Sequence, residues 1–321
     1  MHHAGRRPLI RDRAHAFAHD ALLYDGPDDF LEGTLPFLRE GLAAGEAMLV
    51  AVPQDRIALL RAALTGHADR VCLVDMTRLG RNPAAIISAW RDFLGENDVR
   101  QRPARGIGEP IWDGRSAQEI VECQRHESLL NLAFDDGPPW QLMCPYDTRA
   151  LPDDVILEAR RSHPFVRERG VRRESRDYVA PASVLGPEED DLPVVPDRAQ
   201  RLAFTRAEMT DVRRLVSRQA LQAGLDEERR ADLVLAVSEV ASNSVLHGGG
   251  DGVLAIWRDA DALVCEVRDR GRIADPLVGR ARPSPHQRGG HGMWLVNALC
   301  VLVQVRALAD GNVVRMTLHA R

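Results

Sequence analysis

Glu239-Val240-Ala241-Ser242-Asn243 carries two interleaved readings on one predicted helix. Leu233, Val237, Val240 and Ser244 recur at helical spacing and form a stripe that should face a core, whereas Glu239, Asn243 and His247 fall on a second face. A carboxylate and an amide on that face, with no Lys or Arg among them, suit a metal–nucleotide site better than a solvated surface. Two further motifs follow in order. Asp269-Arg270-Gly271 follows the predicted strand Val264-Cys265-Glu266-Val267. Gly289-Gly290-His291-Gly292 precedes Met293-Trp294-Leu295-Val296, placing backbone N–H groups at a predicted helix N-terminus, where phosphate is favoured. Asp-x-Gly alone is usually a turn, and one glycine-rich loop is weak evidence. Three partial signals in sequence order, each on the expected element, make a strong case.

The 321-residue chain contains no lysine, so its 42 basic residues counted as Lys and Arg are all Arg. A Walker A loop and a protein-kinase ATP lysine are therefore excluded. The length accommodates two ordinary domains, each with its own core. A net charge of −5 gives no reason to expect direct nucleic-acid binding. Met1-His2-His3-Ala4-Gly5-Arg6-Arg7 leads into no apolar run, so no secretory signal is expected, and no stretch is apolar and long enough to span a bilayer. The five cysteines (Cys72, Cys123, Cys144, Cys265, Cys300) show no CxxC spacing and sit in or beside apolar stretches. They read as reduced, buried thiols of a cytoplasmic protein.

The chain divides into an N-terminal tail (1–13), a first domain (14–166), a linker (167–200) and a second domain (201–321). In the first domain, helix-like stretches alternate with apolar runs at Ala47-Met48-Leu49-Val50-Ala51-Val52, Val71-Cys72-Leu73-Val74, Pro110-Ile111-Trp112 and Trp140-Gln141-Leu142-Met143-Cys144. That alternation predicts a largely parallel sheet flanked by helices. The linker combines an Arg/Glu-rich run with Pro181, Pro187, Pro193 and Pro196 and cannot bury a core of its own. In the second domain, helices near 205 and from Asp226 to Leu246 accompany a hairpin around Asp259-Ala260-Asp261 and two final strands turning at Asp310-Gly311. The expected class is a helical layer over a mixed or antiparallel sheet.

The order of the three motifs resembles the ATP pocket of the GHKL superfamily, the Bergerat-type α+β sandwich of gyrase, Hsp90, histidine kinases and MutL. The resemblance covers about Leu202 to Leu318. It implies that Asn243 coordinates Mg²⁺ on the ATP phosphates and that Glu239 polarises the attacking hydroxyl. It further implies that Asp269 accepts the adenine amino proton beside Gly271, and that Gly289, Gly290 and Gly292 surround the phosphates. Mg²⁺ keeps several waters, so one protein oxygen suffices beside phosphate oxygens. The short interval from Gly271 to Gly289, with Ala274-Asp275-Pro276-Leu277-Val278-Gly279-Arg280, resembles the lid of the anti-sigma regulatory factor/serine kinase branch. The partners implied are a sigma factor and a STAS-type anti-sigma antagonist, phosphorylated on Ser or Thr; a homodimer is also expected.

The first domain resembles the MEDS sensory domain, through Leu22-Leu23-Tyr24, Phe37-Leu38-Arg39-Glu40-Gly41-Leu42-Ala43-Ala44-Gly45-Glu46 and Gly108-Glu109-Pro110-Ile111-Trp112. Further matches are Glu127-Ser128-Leu129-Leu130-Asn131, Cys144-Pro145-Tyr146-Asp147 and His163-Pro164. The resemblance implies a RecA/KaiC-like α/β fold without a phosphate loop, consistent with Pro53-Gln54 after the run at 47–52, and a role in sensing a small molecule or a partner.

The leading expectation is a sensor-regulated anti-sigma factor with Mg-ATP-dependent protein-serine kinase activity. One alternative is a two-component histidine kinase using His126-Glu127 as phosphoacceptor pair, although Asp135-Asp136-Gly137-Pro138-Pro139 interrupts the long second helix a dimerisation hairpin needs. Another is a non-catalytic module whose nucleotide only shapes a partner-binding surface. Cys123-x-x-His126, with Cys144 and His163 elsewhere, supplies no dedicated four-ligand metal pattern. Coupling across the linker is open, and proximity alone would account for it.

Overall fold

Continuous apolar runs that must be covered on both faces build the first half of the chain. The computed structural model describes residues 17–99, 102–181, 192–284 and 290–319; the expected tail (1–13) lies outside them, as does Gly289. One sheet comprises β1 (Ala18–Tyr24), β2 (Ala47–Val52), β3 (Cys72–Asp75), β4 (Ala104–Gly108), β5 (Trp140–Asp147), β6 (Phe165–Glu168) and β7 (Val171–Glu174). Its order is β3-β2-β4-β5-β1-β6-β7, parallel except for the antiparallel β6–β7 pair. Helices α1 (Pro27–Ala44), α2 (Gln54–Ala63), α3 (Met76–Leu79), α4 (Ile86–Glu96), α5 (Ala117–Ala133) and α6 (Asp153–Ser162) connect the strands. Successive strand residues feed two cores: Leu23, Leu49 and Leu142 pack with Trp90, whereas Leu22, Val50 and Met143 pack with Phe30.

Three features depart from the sequence reading. Ala47–Val52 is the second strand, preceded by β1, whose buried His19 and Asp20 interrupt its apolar signal. The strand expected at 110–112 lies at β4 instead. Its glycines hide it in sequence, yet a Cβ at Gly106 would come within 2.7 Å of the Trp90 ring, so the close approach requires glycine. The arginine-rich run placed in the linker instead forms the β6–β7 hairpin. Its arginines have a buried partner: Arg167 Nε and Arg172 Nε donate to Asp20 Oδ2 at 2.8 and 2.6 Å. Burial alone would raise the Asp20 carboxyl, but Arg172 and Arg167 hold it below its ordinary value.

The second half forms an antiparallel sheet with β8 (Gln200–Thr205), β9 (Asp251–Asp259), β10 (Ala262–Asp269), β11 (Leu302–Leu308) and β12 (Gly311–His319), in the order β11-β12-β10-β9-β8. Helices α7 (Met209–Gln222), α8 (Glu227–His247) and α9 (His291–Leu299) cover one face. Asp226 caps α8 by accepting the Arg229 backbone N–H at 2.8 Å, and Glu227 and Glu228 favour its positive end. The inward stripe of α8 (Leu233, Val237, Val240) packs with Leu254, Val267, Val296 and Met316. On the other face, Val195 and Ala199 of the proline-rich stretch lie against Trp257, and Arg315 donates to the Pro193 carbonyl at 2.6 Å. Part of the expected linker is thus a strap on this sheet.

The two halves meet directly. Asn82 Nδ2 donates to the Asn297 carbonyl at 2.9 Å, Arg306 pairs with Glu122 at 2.6 Å, and Leu277 packs against the first half's core. Glu122 and Arg306 are both at least 95% buried, so this contact is an interface rather than a tether. Among the described residues no helix is long and apolar enough to cross a membrane.

Candidate functional site

The second face of α8 opens onto a cavity of about 250 Å³ between that helix, the end of β10 and the start of α9. Asn243, Asp269, Gly290 and Gly292 line it, together with His247, Arg272 and Asn312. Glu239 stands one helical turn before Asn243, against Gly292: a Cβ at Gly292 would come within 2.7 Å of Glu239 Oε2. Gly290 is left-handed (φ 83°), turning the chain into α9, whose first turn lines the cavity through Gly292 and Met293.

Asp269 is held by a set of donors. Ser244 Oγ donates to its Oδ2 at 2.7 Å; the Gly271 N–H and Asn312 Nδ2 donate to its Oδ1 at 2.8 and 3.0 Å. Gly248 and Gly271 allow the end of α8 to close on this carboxylate, since a Cβ at Gly248 would meet Asp269 Cγ at 2.6 Å and one at Gly271 would meet Gly248 Cα at 2.7 Å. An orientation fixed in this way leaves the carboxylate pre-organised to accept one further donor.

The segment after Gly271, expected from sequence as a lid, contributes Arg272, Ile273 and Val278 to the cavity lining. The Ile273 N–H donates to Asn312 Oδ1 at 2.8 Å, and Asn297 Nδ2 donates to the Gly279 carbonyl at 2.9 Å. Arg280 is buried, and burial lowers its guanidinium to about 10. The lid is therefore held between α9 and the first half of the chain.

Of the residues expected from sequence, the structure brings Asn243, Asp269, Gly290 and Gly292 to one cavity, with Gly271 and Glu239 in contact with its walls; Gly289 lies outside the described residues. Sequence reasoning missed Asn312, whose register opposite Asp269 on β12 brings it to the site. It also missed Ser244's second role, because a buried serine in an apolar stripe reads as core. His126 is 1% exposed on α5 and burial lowers its ring to about 3, so the residue considered as phosphoacceptor is a neutral core imidazole. Cys72 is exposed, contrary to the expectation of uniformly buried thiols.

A second polar cluster lies at the carboxyl ends of the first sheet, where open α/β sheets commonly bind ligands. Tyr24 donates to Glu109 Oε1 at 2.7 Å, and Arg56 reaches the Tyr24 hydroxyl at 3.2 Å and Asp147 at 3.1 Å. Burial pushes the Glu109 carboxyl up to about 8.

Two family models match the chain, one in each half. The model of the MEDS family (MEthanogen/methylotroph, DcmR Sensory domain) matches residues 18–164. The model of the histidine kinase-like ATPase domain matches residues 202–318. No curated protein matches the chain. A solved structure of the RsbU and RsbW domains of a Mycobacterium tuberculosis protein is 22% identical, with a TM-score of 0.28, and covers 37% of this chain. The match spans 32% of that structure's own length.

Proposed function

We propose that this chain, a MEDS domain joined to a histidine kinase-like ATPase domain of the GHKL type, is a sensor-regulated anti-sigma factor that phosphorylates Ser or Thr on an anti-sigma antagonist. The observation that carries the reading is the convergence of Asn243, Asp269, Gly290 and Gly292 on one cavity, with Glu239 against Gly292. The ATPase domain implies ATP binding. In this reading Asp269 accepts the adenine amino group, Asn243 offers its amide oxygen to Mg²⁺, and the N-terminus of α9 receives phosphate. Mg²⁺ would supply charge neutralisation on the phosphates. Glu239 would accept the proton of the incoming hydroxyl, and positioning would provide most of the acceleration. The absence of lysine is no obstacle, because backbone N–H groups and Arg272 present the positive potential.

Regulation would pass through the lid. Residues 18–174 form the sensory unit in this reading, and its Asn82 and Glu122 grip α9 and β11 where these support the lid. A ligand that shifts the first sheet would bias lid closure and hence nucleotide affinity. The histidine-kinase alternative loses support, since its proposed acceptor His126 is buried far from solvent.

The test is incubation of the full chain with Mg-ATP in a native cytosolic extract, followed by affinity capture and phosphosite mapping. A sigma factor, or an antagonist whose phosphoserine or phosphothreonine vanishes with Glu239→Gln, supports the proposal. Intact ATP and no phosphorylated partner would favour a nucleotide-gated binding module instead.

A further inference from the structure

Four side chains from distant parts of the sequence meet inside the first domain: His19 on β1, Glu127 on α5, Cys144 on β5 and His163 just after α6. His19 and Cys144 lie on adjacent parallel strands, since His19 pairs with Leu142 and Ala21 with Cys144, so both side chains project from the same sheet face. Helices α5 and α6 cover that face and bring in the other two. All four are 99% or more buried. His19 Nε2 is 3.1 Å from Glu127 Oε2 and 3.3 Å from Cys144 Sγ, and His163 Nε2 is 3.2 Å from the same carboxylate oxygen. One ligand atom from each residue falls within 4.8 Å of every other. Tetrahedral bonds of about 2.0–2.3 Å place neighbouring ligand atoms roughly 3.3–3.8 Å apart, close to these separations.

The surrounding hydrogen bonds fix which nitrogens face the centre. His163 Nδ1 lies 2.7 Å from the Ala159 carbonyl, which can only accept, so Nδ1 carries the hydrogen and Nε2 presents its lone pair inward. Asn131 Nδ2 donates to the Ser162 carbonyl at 2.7 Å, which turns its Oδ1 toward His19 Nδ1 at 3.1 Å. His19 therefore also carries its hydrogen on the outer nitrogen. Two inward lone pairs then converge on one oxygen of the Glu127 carboxylate, which the Cys144 thiol and the Tyr146 hydroxyl also approach. Inward lone pairs gathered around one point, with a thiol beside them, are a donor set that a cation at the centre would satisfy.

We infer that His19, Glu127, Cys144 and His163 form a closed four-ligand site for a divalent metal ion of the zinc class. Two neutral imidazoles, a carboxylate and a thiolate around a dication give no net charge, which suits complete burial. On binding, the Cys144 S–H bond breaks, its proton leaves to solvent and the sulfur electron pair bonds the metal. Outer partners that orient both imidazoles, here Ala159 and Asn131, are the usual support of metal-bound histidines. Four protein ligands leave no open position, so the ion's role is structural: it ties β1 and β5 to the two helices that cover them. Sequence flagged Cys144 and His163, but it grouped them with Cys123 and His126; Cys123 instead points its thiol at the Pro110 carbonyl, 3.3 Å away.

The decisive experiment uses the full chain and two probes, Zn²⁺ and Co²⁺. Plasma mass spectrometry of protein purified without chelator should find one zinc per chain. Replacement by Co²⁺ should give the intense visible bands of tetrahedral cobalt and a thiolate charge-transfer band. Cys144→Ser should abolish the thiolate band, whereas Cys123→Ser and Cys72→Ser should leave it. A folded wild-type chain that retains no zinc and shows only the weak spectrum of octahedral cobalt would overturn the inference. So would a thiolate band that survives Cys144→Ser and disappears with Cys72→Ser. Because the wild-type spectrum is itself diagnostic, a variant that fails to fold does not blunt the test.

Discussion

Replacing Glu122 with Gln isolates the joint between the two domains. The substitution keeps the side chain's size but removes the anion that Arg306 Nη2 meets at 2.6 Å in a pocket where both groups are at least 95% buried. Breaking such a buried pair from one side costs about 3–5 kcal/mol, because the guanidinium loses the carboxylate against which it is desolvated. Arg280, also buried near Glu122, loses a stabilising carboxylate at the same time. Neither domain's own core contains the pair, so the cost should fall on docking. At about 1.4 kcal/mol per factor of ten, 3 kcal/mol weakens the docked state roughly a hundredfold. Urea unfolding followed by tryptophan fluorescence should then separate into two transitions where wild type is expected to unfold in one, and Mg-ATP affinity should change because the lid is released. A double-mutant cycle with Arg306→Gln should return a coupling energy above about 1 kcal/mol. Identical unfolding curves and ATP affinity for wild type and Glu122→Gln would refute the claim that this buried pair holds the domains together.

Asn243→Ala should lower Mg-ATP affinity at least about tenfold while leaving thermal stability within about 0.5 kcal/mol, as measured by calorimetric titration and melting. Gly292→Ala should displace the Glu239 carboxylate rather than the backbone, because the added Cβ would stand 2.7 Å from Oε2, the end of a flexible side chain; phosphoryl transfer should then fall more than Mg-ATP affinity, and unchanged turnover would count against the tight contact. Glu109 gives a pH signature. Burial pushes its carboxyl from 4.5 to about 8, so between these values the folded chain keeps a proton that the unfolded chain releases. Stability should therefore fall as pH rises from about 4.5 towards about 8, by at most about 1.4 kcal/mol per pH unit. Urea midpoints across this range should show the slope, and Glu109→Gln should flatten it.

Much of the second domain was legible because its signals are local. The two faces of α8 are written in one run of residues, and the β9–β10 hairpin follows from two apolar stretches either side of Asp259-Ala260-Asp261. Asn312 was not legible, since its place beside Asp269 depends on strand register across the β10–β12 pair. The first domain hid more. The strand β4 contains two glycines, chosen by the bulk of Trp90 rather than by strand propensity. The β6–β7 hairpin looked like solvated charge because its partner, Asp20, is about 150 residues away, a separation seen in Arg172 to Asp20 as 152 positions. The cluster of His19, Glu127, Cys144 and His163 has no local spacing at all; only the parallel pairing of β1 with β5 assembles it.

The grip of Asn82 on Asn297, which in turn holds Gly279 of the lid, bears on how such proteins can be recombined. A chain built as beads on a string tolerates exchange of one bead for another. Here a foreign input module spliced on within the proline-rich stretch would have to reproduce an amide and a carboxylate at the positions of Asn82 and Glu122. Without them, Leu277 would lose the apolar surface it packs against, and Arg306 and Arg280 would lose the Glu122 carboxylate. The two halves are thus a matched set, and substitutions in one must be answered in the other.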